Sequence, residues 1–469
     1  MAKEHLSLVI CGHVDSGKTS LAFRLLYALG GLTERECRAL LEYREHAHPL
    51  LIMDHSKEER ERGITITCKR REFFTETWRY TLIDTPGHRD FIKNALVGAS
   101  QADAAILVVP ADGSFSATLA RASRERFLEG GSRQFGQVLN ILGVQQLCVV
   151  VNKMDSVAAA WRKERFEEIA AEVRRVLLRV GWRREVIEQS TAIIPLAAVY
   201  GDSLVRASGS MPWWTGQDVK RAGGAGEAVN VSTLYDVLDK VFRPPKRRAE
   251  APLCMPVSNT YRIAGVGDVV LGRLESGMLQ PGERVLFLPD REKDQEGDCF
   301  CTAASIEMHH EKREGAMAGD IVGINVKGLR RRPQTGDLMM SVSELTGGNV
   351  LRFDAQVMIL SGRSQITAGY IPLAFVHCGR APCRLVAIRW KMCKQSDKAQ
   401  KMESPDFLAP QEMALCTFEP LRPFFCNTFK AAPSLSRVIF LDGNMPVMIG
   451  KVVSCERQGE ANDKGGKKK

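Results

Sequence analysis

The fold of the first part of the chain is decided by the stretch Gly12-His13-Val14-Asp15-Ser16-Gly17-Lys18-Thr19. It lies between an apolar run that starts at Leu6 and a helix-like run that ends at Leu29. Two glycines five residues apart, followed by Lys and Thr, are typical of a phosphate-binding loop in this position; an ordinary glycine-containing turn is the alternative. Backbone N–H groups and the helix start would face the phosphates, with Lys18 on the β- and γ-phosphates and Thr19 on Mg²⁺.

The chain has 469 residues, of which 44% are hydrophobic and 26% are charged. This composition is that of an ordinary globular protein with about three domains. Because the first strand begins by Leu6 and no apolar run approaches about 18 residues, we expect no leader, no membrane partner and a cytoplasmic location. Thirteen scattered cysteines favour reduced thiols over a disulfide framework, and Cys378 and Cys383 beside His377 fit no common zinc spacing.

The formal net charge is +10. Part of the positive charge is concentrated in the clusters Lys246-Arg247-Arg248, Arg330-Arg331-Arg332 and Lys467-Lys468-Lys469. Such clusters favour a polyanionic partner. Solvated loop faces are the alternative, so the charge by itself leaves nucleic-acid binding open.

A dense charge run at residues 58–62 ends in Gly63 and Thr65, between the phosphate-binding loop and the next strand. Charge runs are most often solvated faces, but this is the position where a nucleotide-dependent switch would lie. The Thr65 hydroxyl would bind Mg²⁺ when a γ-phosphate is present and would lose that contact after hydrolysis. The sequence therefore predicts a loop that changes with the nucleotide state.

A second phosphate-site motif follows the strand predicted over residues 78–83 and reads Asp84-Thr85-Pro86-Gly87-His88. Asp84, at the strand end, would hold Mg²⁺ through water. Gly87 lacks a Cβ, so its N–H can approach the γ-phosphate closely. A lone histidine is usually a surface or packing residue, but His88 directly after this glycine is predicted to be catalytic, by orienting the attacking water.

Two continuous apolar runs, residues 104–109 and 146–151, indicate strands that are buried on both faces of a parallel sheet. The second run ends in Asn152-Lys153-Met154-Asp155. A carboxylate there accepts hydrogen bonds from the ring N–H and exocyclic amine of guanine, whereas adenine would present an acceptor. Backbone N–H groups at Ala197, after the next predicted strand, would meet the guanine carbonyl. These motifs predict a site for GTP and GDP.

With these motifs in this order, the chain resembles the translational GTPases, and specifically the elongation factor 1-alpha family. The resemblance is carried by residues 12–19, 59–66, 84–94 and 152–155. Further stretches are more similar to the elongation factor-like branch of the family: residues 111–115, 213–214, 378–380, 390–392 and 435–438. The resemblance covers nearly the whole chain, to about Cys455.

The sequence departs from the family pattern at several places. Between Gly31 and Asp54 the chain is several residues shorter than the family, so the effect on the switch loop and on nucleotide affinity stays open. Single-residue departures are Ala95 for Met, Phe135 for His, Ala197 for Ser, Ala198 for Gly and Val199 for Trp. Each weakens a contact without removing a motif, which indicates a diverged member that retains GTP turnover; whether it is a general or a specialised factor stays open.

Prolines mixed with charge at residues 243–252 indicate a linker. Beyond it, short alternating strands with Gly and Pro turns are typical of antiparallel barrels. The predicted fold is an α/β P-loop GTPase domain, with a mostly parallel sheet between helices, followed by two antiparallel β-barrel domains. The expected boundaries are residues 1–242, 253–345 and 346–456, with a disordered basic tail at 457–469.

The resemblance implies a GTP-dependent elongation factor that delivers aminoacyl-tRNA to the ribosomal A site, with hydrolysis stimulated by the ribosome. It implies that the first barrel holds the aminoacylated 3′ end of the tRNA. The matching motif is Glu307-Met308-His309-His310. Glu307 would then pack against the terminal base. Further implied partners are the ribosome and an exchange factor of unknown identity, for a monomeric protein.

Two other functions stay open. One is a translational GTPase that carries a release or rescue factor, although such proteins commonly have an extra N-terminal region. The other is a diverged GTP-binding scaffold without turnover that binds proteins or the cytoskeleton. Thr65, Gly87 and His88 argue against the scaffold because turnover needs them.

Overall fold

The computed structural model describes residues 3–33, 36, 59, 65–119, 131–221, 227–289, 300–309, 311–342, 348–360, 365–395 and 398–458, without the side chains of Arg89 and residues 393–400. The chain forms two compact units, Met1–Lys246 and Arg247–Lys469, here called the N-terminal and C-terminal units. The division falls within the predicted linker, residues 243–252. Most of the charge run, the shortened segment, His310 and the basic tail lie outside the described residues.

A six-stranded sheet forms the centre of the N-terminal unit. Its strands are β1 (His5–Gly12), β2 (Lys69–Phe74), β3 (Arg79–Asp84), β4 (Ala104–Pro110), β5 (Gln146–Asn152) and β6 (Ala192–Pro195). Their order is β2-β3-β1-β4-β5-β6, and neighbouring strands are parallel except β2 and β3. Every residue of β4 and β5 is buried, as expected for continuous apolar strands that are covered on both faces.

Helices pack against this sheet. They are α1 (Lys18–Ala28), α2 (Ile92–Ala99), α3 (Phe115–Thr118), α4 (Gly131–Leu142), α5 (Lys163–Arg179) and α6 (Leu234–Asp236). Shorter elements are the 3₁₀ turn Arg89–Phe91, the π-helical turns Val186–Ser190 and Val237–Val241, and a hairpin of β7 (Gln217–Val219) and β8 (Val229–Val231). No described helix combines the length and the apolar character needed to cross a membrane.

The parallel strands determine where the polar motifs meet. Gly12, Asp84 and Asn152 are the last residues of β1, β3 and β5. Because parallel strands end at the same edge of a sheet, this edge is where α/β proteins bind ligands. The topology therefore brings three motifs, far apart in the sequence, to one edge.

The first half of the C-terminal unit is a closed antiparallel barrel. Its strands are β9 (Cys254–Ile263), β10 (Gly267–Arg273), β11 (Met278–Leu279), β12 (Arg284–Leu288), β13 (Phe300–Met308), β14 (Glu311–Arg313), β15 (Ala316–Met317), β16 (Ile321–Lys327) and β17 (Leu338–Ser341). The order is β12-β17-β9-β10-β16-β13-β14, and pairing of β12 with β13 closes the barrel. Alternating inward residues from these strands form its core.

The second half repeats this architecture. Its strands are β18 (Val350–Ile359), β19 (Ile366–Thr367), β20 (Leu373–Val376), β21 (Gly379–Gln395), β22 (Lys398–Glu403), β23 (Phe407–Leu408), β24 (Met413–Pro420), β25 (Arg437–Asp442) and β26 (Met445–Arg457), with a 3₁₀ turn at Pro433–Leu435. The order is β20-β25-β26-β18-β24-β21-β22, and pairing of β20 with β21 closes the barrel. The predicted fold class, a GTPase domain followed by two antiparallel barrels, is confirmed.

The two barrels belong to one compact unit because they share an apolar core. Residues of the first barrel that join the core of the second are Cys254, Leu286, Leu288, Leu338 and Met340. The sequence predicted a break between the barrels near residues 346–349 but not this shared packing.

Candidate nucleotide-binding site

The loop between β1 and α1 has the backbone geometry of a phosphate cradle. Gly12 and Gly17 have φ angles of 152° and 90°. A Cβ on Gly12 would overlap the Val108 carbonyl, and one on Gly17 would overlap the Asn152 amide. Both positions therefore require glycine, since no side chain has room there. Asp15, which has a φ angle of 57°, is exposed at the tip of the loop next to the half-buried Val14.

The His13 carbonyl is the internal anchor of this loop. It accepts hydrogen bonds from the Ser16 hydroxyl (2.9 Å) and from Nζ of Lys18 (2.6 Å). Burial lowers the pKa of Lys18 to about 8, and Asp84 acts in the opposite direction. The Lys18 ammonium group is buried, and its hydrogen bond goes to a neutral carbonyl. It is therefore well placed to bind an anion.

The His13 ring has a different partner, which the sequence did not predict. Its Nδ1 accepts a hydrogen bond from the backbone N–H of Gly131, 3.2 Å away at the start of α4. Burial and the nearby Lys18 lower the pKa of His13. The ring therefore acts as a neutral acceptor that ties the phosphate-binding loop to α4.

Three buried oxygen-bearing side chains meet beside the loop. Oγ1 of Thr19 lies 3.2 Å from Oγ1 of Thr65 and 3.2 Å from Oδ2 of Asp84. All three residues are at least nine-tenths buried. Two hydroxyls and a carboxylate are hard oxygen ligands of the kind that Mg²⁺ prefers when water and phosphate complete its shell. The residues present fit this ion, although the described residues contain no cluster of three His, Cys, Asp or Glu side chains that could hold a metal alone.

Two residues hold the segment that carries Thr65. The Glu59 carboxylate accepts hydrogen bonds from the N–H groups of Ile66 (2.9 Å) and Thr67 (3.1 Å) and pairs with Lys69 at 3.2 Å. Burial alone would raise the pKa of Glu59, but these contacts lower it to about 2. On the other side, the Asn94 amide donates to the Ile66 carbonyl at 2.9 Å. Sequence reasoning placed both residues in matching motifs but gave neither a role.

Gly87 and His88 follow β3 and lie next to these groups. A Cβ on Gly87 would overlap Nζ of Lys18, so only glycine allows this close approach. Thr85 and Pro86, just before it, are buried, and the Thr85 hydroxyl donates to the Ile10 carbonyl at 2.7 Å. They therefore anchor the start of the Gly87–His88 segment to the buried strand β1.

The His88 side chain is about one third exposed. Its Nδ1 accepts from the N–H of Asp90 at 3.3 Å and lies 3.5 Å from the Asp90 carboxylate, and the ring stands 6.0 Å from that of Phe91. All three of these residues are close neighbours in sequence. The imidazole is therefore held locally and is open to an incoming group.

At the other end of the site, Asn152 joins two loops. Its side-chain amide donates to the Ser16 carbonyl at 2.9 Å, and its side-chain oxygen accepts from the N–H of Ala198 at 3.0 Å. Asn152 and Ala197 are both buried. The Ala-for-Gly departure at position 198 leaves this contact intact because only the backbone N–H takes part.

In the rest of this motif, Lys153 and Met154 have structural contacts, and Asp155 is more open to solvent than Met154. Lys153, at a φ angle of 63°, pairs with the Asp112 carboxylate at 2.8 Å, and Met154 is fully buried. Burial would raise the pKa of Asp112, but hydrogen bonds from Lys153 and Ser114 lower it. Asp155 is half-buried. Sequence reasoning missed Asp112, whose only signal was its place in the matching stretch at residues 111–115.

Glu307 lies in the other unit and is exposed on β13, paired with Lys312 and Gly323 of the neighbouring strands. Its neighbours Ile306 and Met308 point into the barrel core. In the basic cluster at residues 330–332, Arg331 makes two contacts with the buried Asp337 carboxylate, at 3.1 and 3.2 Å. This part of the positive charge serves the barrel itself.

Family models cover most of the chain. Residues 3–244 match the family described as elongation factor Tu GTP binding domain. Residues 267–339 match elongation factor Tu domain 2, and residues 352–453 match the family described as GTP-eEF1A C-terminal domain-like. The first match spans more than half of the sequence and shows a guanine-nucleotide-binding GTPase.

Whole-chain relatives agree with these matches. The chain is 34% identical to elongation factor 1-alpha of Hyperthermus butylicus, over 97% of both sequences. It is also 34% identical to the oocyte form of this factor from Xenopus laevis, over 99% of this chain and 98% of that one. Assignment to the elongation factor-like branch stays a prediction.

Among solved structures, the S. cerevisiae Ski7 GTPase-like domain bound to GDP and inorganic phosphate has a similar fold. Its TM-score is 0.74 at 14% identity, over 96% of this chain and 97% of that one. At this identity the likeness concerns the fold alone. Family models and relatives together show that the chain belongs to the elongation factor 1-alpha family of GTP-dependent translation factors.

Proposed function

We propose that this protein carries aminoacyl-tRNA to the ribosomal A site in its GTP form and releases it after ribosome-stimulated hydrolysis. The observation that carries the proposal is the contact of the Thr65 hydroxyl with that of Thr19, which also contacts the Asp84 carboxylate. Thr65 belongs to a segment distant in sequence, so its hydroxyl connects the phosphate end of the site to a part of the chain that can respond to the nucleotide.

In this proposal the phosphate end recognises charge. Lys18 leaves the His13 carbonyl for the phosphates, since a phosphate is a stronger acceptor for an ammonium group. Gly87 brings its N–H to the γ-phosphate because no Cβ intervenes. Thr19, Thr65 and Asp84 would hold Mg²⁺, which supplies positive charge for the phosphate oxygens.

Asp155 provides guanine selectivity. Its carboxylate is half-buried, whereas Asn152 and Lys153 are engaged with Ser16, Ala198 and Asp112. Asp155 is therefore the member of the motif that we assign to the ring N–H and amine of guanine. The backbone at Ala197 completes the base end.

His88 orients the attacking water. The imidazole is exposed enough to move and is held only by local contacts with Asp90 and Phe91 among the described residues. Such a side chain gains catalytic geometry when an external surface fixes it, which explains why turnover would depend on the ribosome.

Glu59 and Asn94 couple Thr65 to its neighbours, so that the whole segment responds to the nucleotide. Each holds Ile66, the residue after Thr65, through its backbone. Loss of the γ-phosphate would remove the ligand-side contact of Thr65 and leave these two anchors to compete with solvent. The switch segment would then be released, and affinity for tRNA would fall with it.

The two barrels would bind the tRNA, the first at its aminoacylated 3′ end with Glu307 against the terminal base. Positively charged surfaces would contact the acceptor-arm phosphates and 2′-hydroxyls. We retain residues 253–345 and 346–456 as the two barrel domains, but Arg457 is buried at the end of β26 and does not belong to the predicted tail, residues 457–469. A cytoplasmic monomer that uses a separate exchange factor completes the proposal.

The test is binding of aminoacyl-tRNA to the full chain with a non-hydrolysable GTP analogue and with GDP. We expect tight binding with the analogue only, and we expect affinity to fall steeply with salt. Thr65→Ala should bind as weakly with the analogue as the wild type does with GDP. Thr67→Ala is the matched control, because the Thr67 hydroxyl contacts Glu59 and not Thr19.

Equal binding by the wild type in both nucleotide states would refute a tRNA carrier. Preference for uncharged tRNA would do the same. If neither tRNA form binds and ribosomes do not stimulate GTP turnover, the scaffold becomes the better description.

A further inference from the structure

Two cysteines of the second barrel lie in van der Waals contact. Sγ of Cys426 is 3.7 Å from Sγ of Cys455. Cys426 follows β24 in the connection to β25, and Cys455 lies near the end of β26, where it pairs with Phe353 of β18. In the part of the chain that the structure describes, the two residues are separate thiols.

The two thiols differ in their surroundings. Cys426 is fully buried, and burial raises its pKa well above the ordinary value, as does the neighbouring Cys455 thiol. Cys455 is only half-buried. A reagent from solvent therefore reaches Cys455 first, and Cys426 waits directly behind it. This arrangement of an accessible thiol and a buried one is typical of an attacking and a resolving cysteine.

A buried guanidinium completes the cluster. Nη2 of Arg457 donates to the Cys426 carbonyl at 2.7 Å, and the guanidinium carbon lies 4.7 Å from the centre of the Phe425 ring. Nη1 is buried and makes no hydrogen bond, and no described carboxylate pairs with Arg457. A buried positive charge without a carboxylate favours a nearby anion, and the charge of Arg457 acts to lower the pKa of the neighbouring Cys426 thiol.

We propose that Cys426 and Cys455 form a peroxide-reactive dithiol that closes into a reversible disulfide, with Arg457 as a positioning residue. Closure needs the two sulfurs to approach by less than 2 Å, about the change that side-chain rotation supplies. The bond would fasten the connection after β24 to the last strand of the barrel. This inference does not depend on the proposed tRNA function.

The reaction balances with hydrogen peroxide as oxidant. Cys455 loses its proton to solvent, and its sulfur attacks one peroxide oxygen; the O–O bond breaks, and the leaving hydroxide takes up a proton to become water. The sulfur of Cys426 then attacks the sulfur of the Cys455 sulfenic acid. An S–S bond forms, the S–O bond breaks, and the proton of Cys426 leaves with the hydroxyl as water. Two thiols thereby reduce one peroxide to two waters.

The experiment uses the full-length reduced protein, a few equivalents of hydrogen peroxide, and alkylation of the remaining thiols with N-ethylmaleimide. Intact mass should show two fewer alkylated cysteines, and a non-reducing peptide map should show one bridge, Cys426 to Cys455. Dithiothreitol should restore both thiols. Cys455→Ser and Cys426→Ala should each abolish the bridge, whereas Cys416→Ala, a buried thiol of the same barrel, should not.

Arg457→Gln should slow bridge formation by about tenfold or more, because the Cys426 sulfur loses the positive charge that favours its thiolate, and Arg457→Lys should recover part of the rate. Equal rates in all three proteins would remove Arg457 from the proposal. A bridge to Cys383, which also lies near Cys426, would overturn the assigned pair. Sulfinic acid at Cys455 without any bridge, or bridging only after unfolding in urea, would overturn the dithiol itself.

Discussion

The two units bury polar side chains in different arrangements. In the N-terminal unit, Lys18, Thr19, Thr65 and Asp84 are buried beside one loop, and the Thr19 hydroxyl lies 3.2 Å from both the Thr65 hydroxyl and the Asp84 carboxylate. The C-terminal unit instead contains buried and partly buried ion pairs in which a cation faces one carboxylate. They include Arg331 with Asp337, Lys391 with Glu412, and His377 with Glu275.

The difference separates binding from packing. A matched pair satisfies its own charge and supports the elements that carry it. A convergent set of oxygens and an ammonium group is satisfied better by a shared ligand than by its own members. Burial of polar groups therefore indicates a ligand site only where several groups converge, and the proposed tRNA surface has to be sought among exposed residues such as Glu307.

The largest expected effect comes from His88, which lies next to the convergent residues and is partly exposed. His88→Ala should lower ribosome-stimulated GTP hydrolysis by about 10³-fold, since we assign the imidazole to the attacking water. The affinity for GDP and for a GTP analogue should change little, because the side chain contacts only Asp90 and Phe91 among the residues that the structure describes. Single-turnover hydrolysis with ribosomes and titration with a fluorescent nucleotide measure the two quantities. Equal hydrolysis by both proteins would assign His88 to structure.

The backbone of the phosphate-binding loop is a second place where a substitution should disrupt the site. Gly17→Ala should lower nucleotide affinity by more than about 10²-fold, because the new methyl group would overlap the Asn152 amide that joins the two loops. Gly265→Ala, in a turn of the first barrel, is the matched control: its φ angle of 79° carries similar strain, but no atom lies within 4 Å of the added Cβ. If both variants lose affinity equally, strain and not contact with Asn152 is responsible.

Selectivity for the base sharpens the same comparison. Asp155→Asn should reduce the preference for GTP over xanthosine triphosphate by about 10–100-fold, because an amide offers a donor where guanine needs an acceptor. Competition between the two nucleotides for the full chain measures this ratio. Asp112→Asn is the control, since it disturbs Lys153 without facing the base in our assignment. A preference that follows Asp112 instead of Asp155 would reverse these roles.

How far the sequence could predict these features depends on how local each one is. The continuous apolar runs of β4 and β5, and the glycines of the loop, are local patterns that follow directly from burial and backbone geometry, so the parallel sheet and its ligand edge were predictable. Contacts between distant residues are not. Tertiary packing determines that Lys153 pairs with Asp112, that His13 contacts Gly131, and that β13 closes the barrel on β12. Such packing leaves no periodic signal in the sequence.

The partners of charged side chains could not be predicted from the sequence either. The cluster at residues 330–332 suggested a polyanion surface, but Arg331 is held by the fully buried Asp337. The spacing of His377, Cys378 and Cys383 excluded a common zinc site but could not show that His377 contacts Glu275, about a hundred residues earlier. Residue type indicates what a side chain can do, and only the fold determines which partner it has.

The smallest expected effect concerns this last pair, whose Nε2–Oε1 distance is 3.2 Å, with Sγ of Cys378 at 3.1 Å from Nδ1 of the ring. Burial alone would lower the pKa of His377, but Cys378 and Glu275 raise it from 6.5 to about 10. Because the folded-state pKa is the higher one, the stabilisation is complete below pH 6.5 and is lost as pH rises toward 10. We expect a loss of about 1–2 kcal/mol between about pH 6.5 and 8.

Amide hydrogen exchange of Leu373–Val376, the strand just before His377, measures the local free energy of opening at several pH values. The wild type should lose protection between pH 6.5 and 9 relative to Glu275→Gln, in which the imidazolium has no carboxylate partner. Taking the difference between the two proteins cancels other titrating groups, such as Lys18. Glu412→Gln is the matched control, since the Lys391 pair that it breaks contains no imidazole; it should lower stability without changing the pH dependence. Parallel pH profiles for the wild type and Glu275→Gln would show that His377 is neutral in the folded protein and that the pair acts through packing alone.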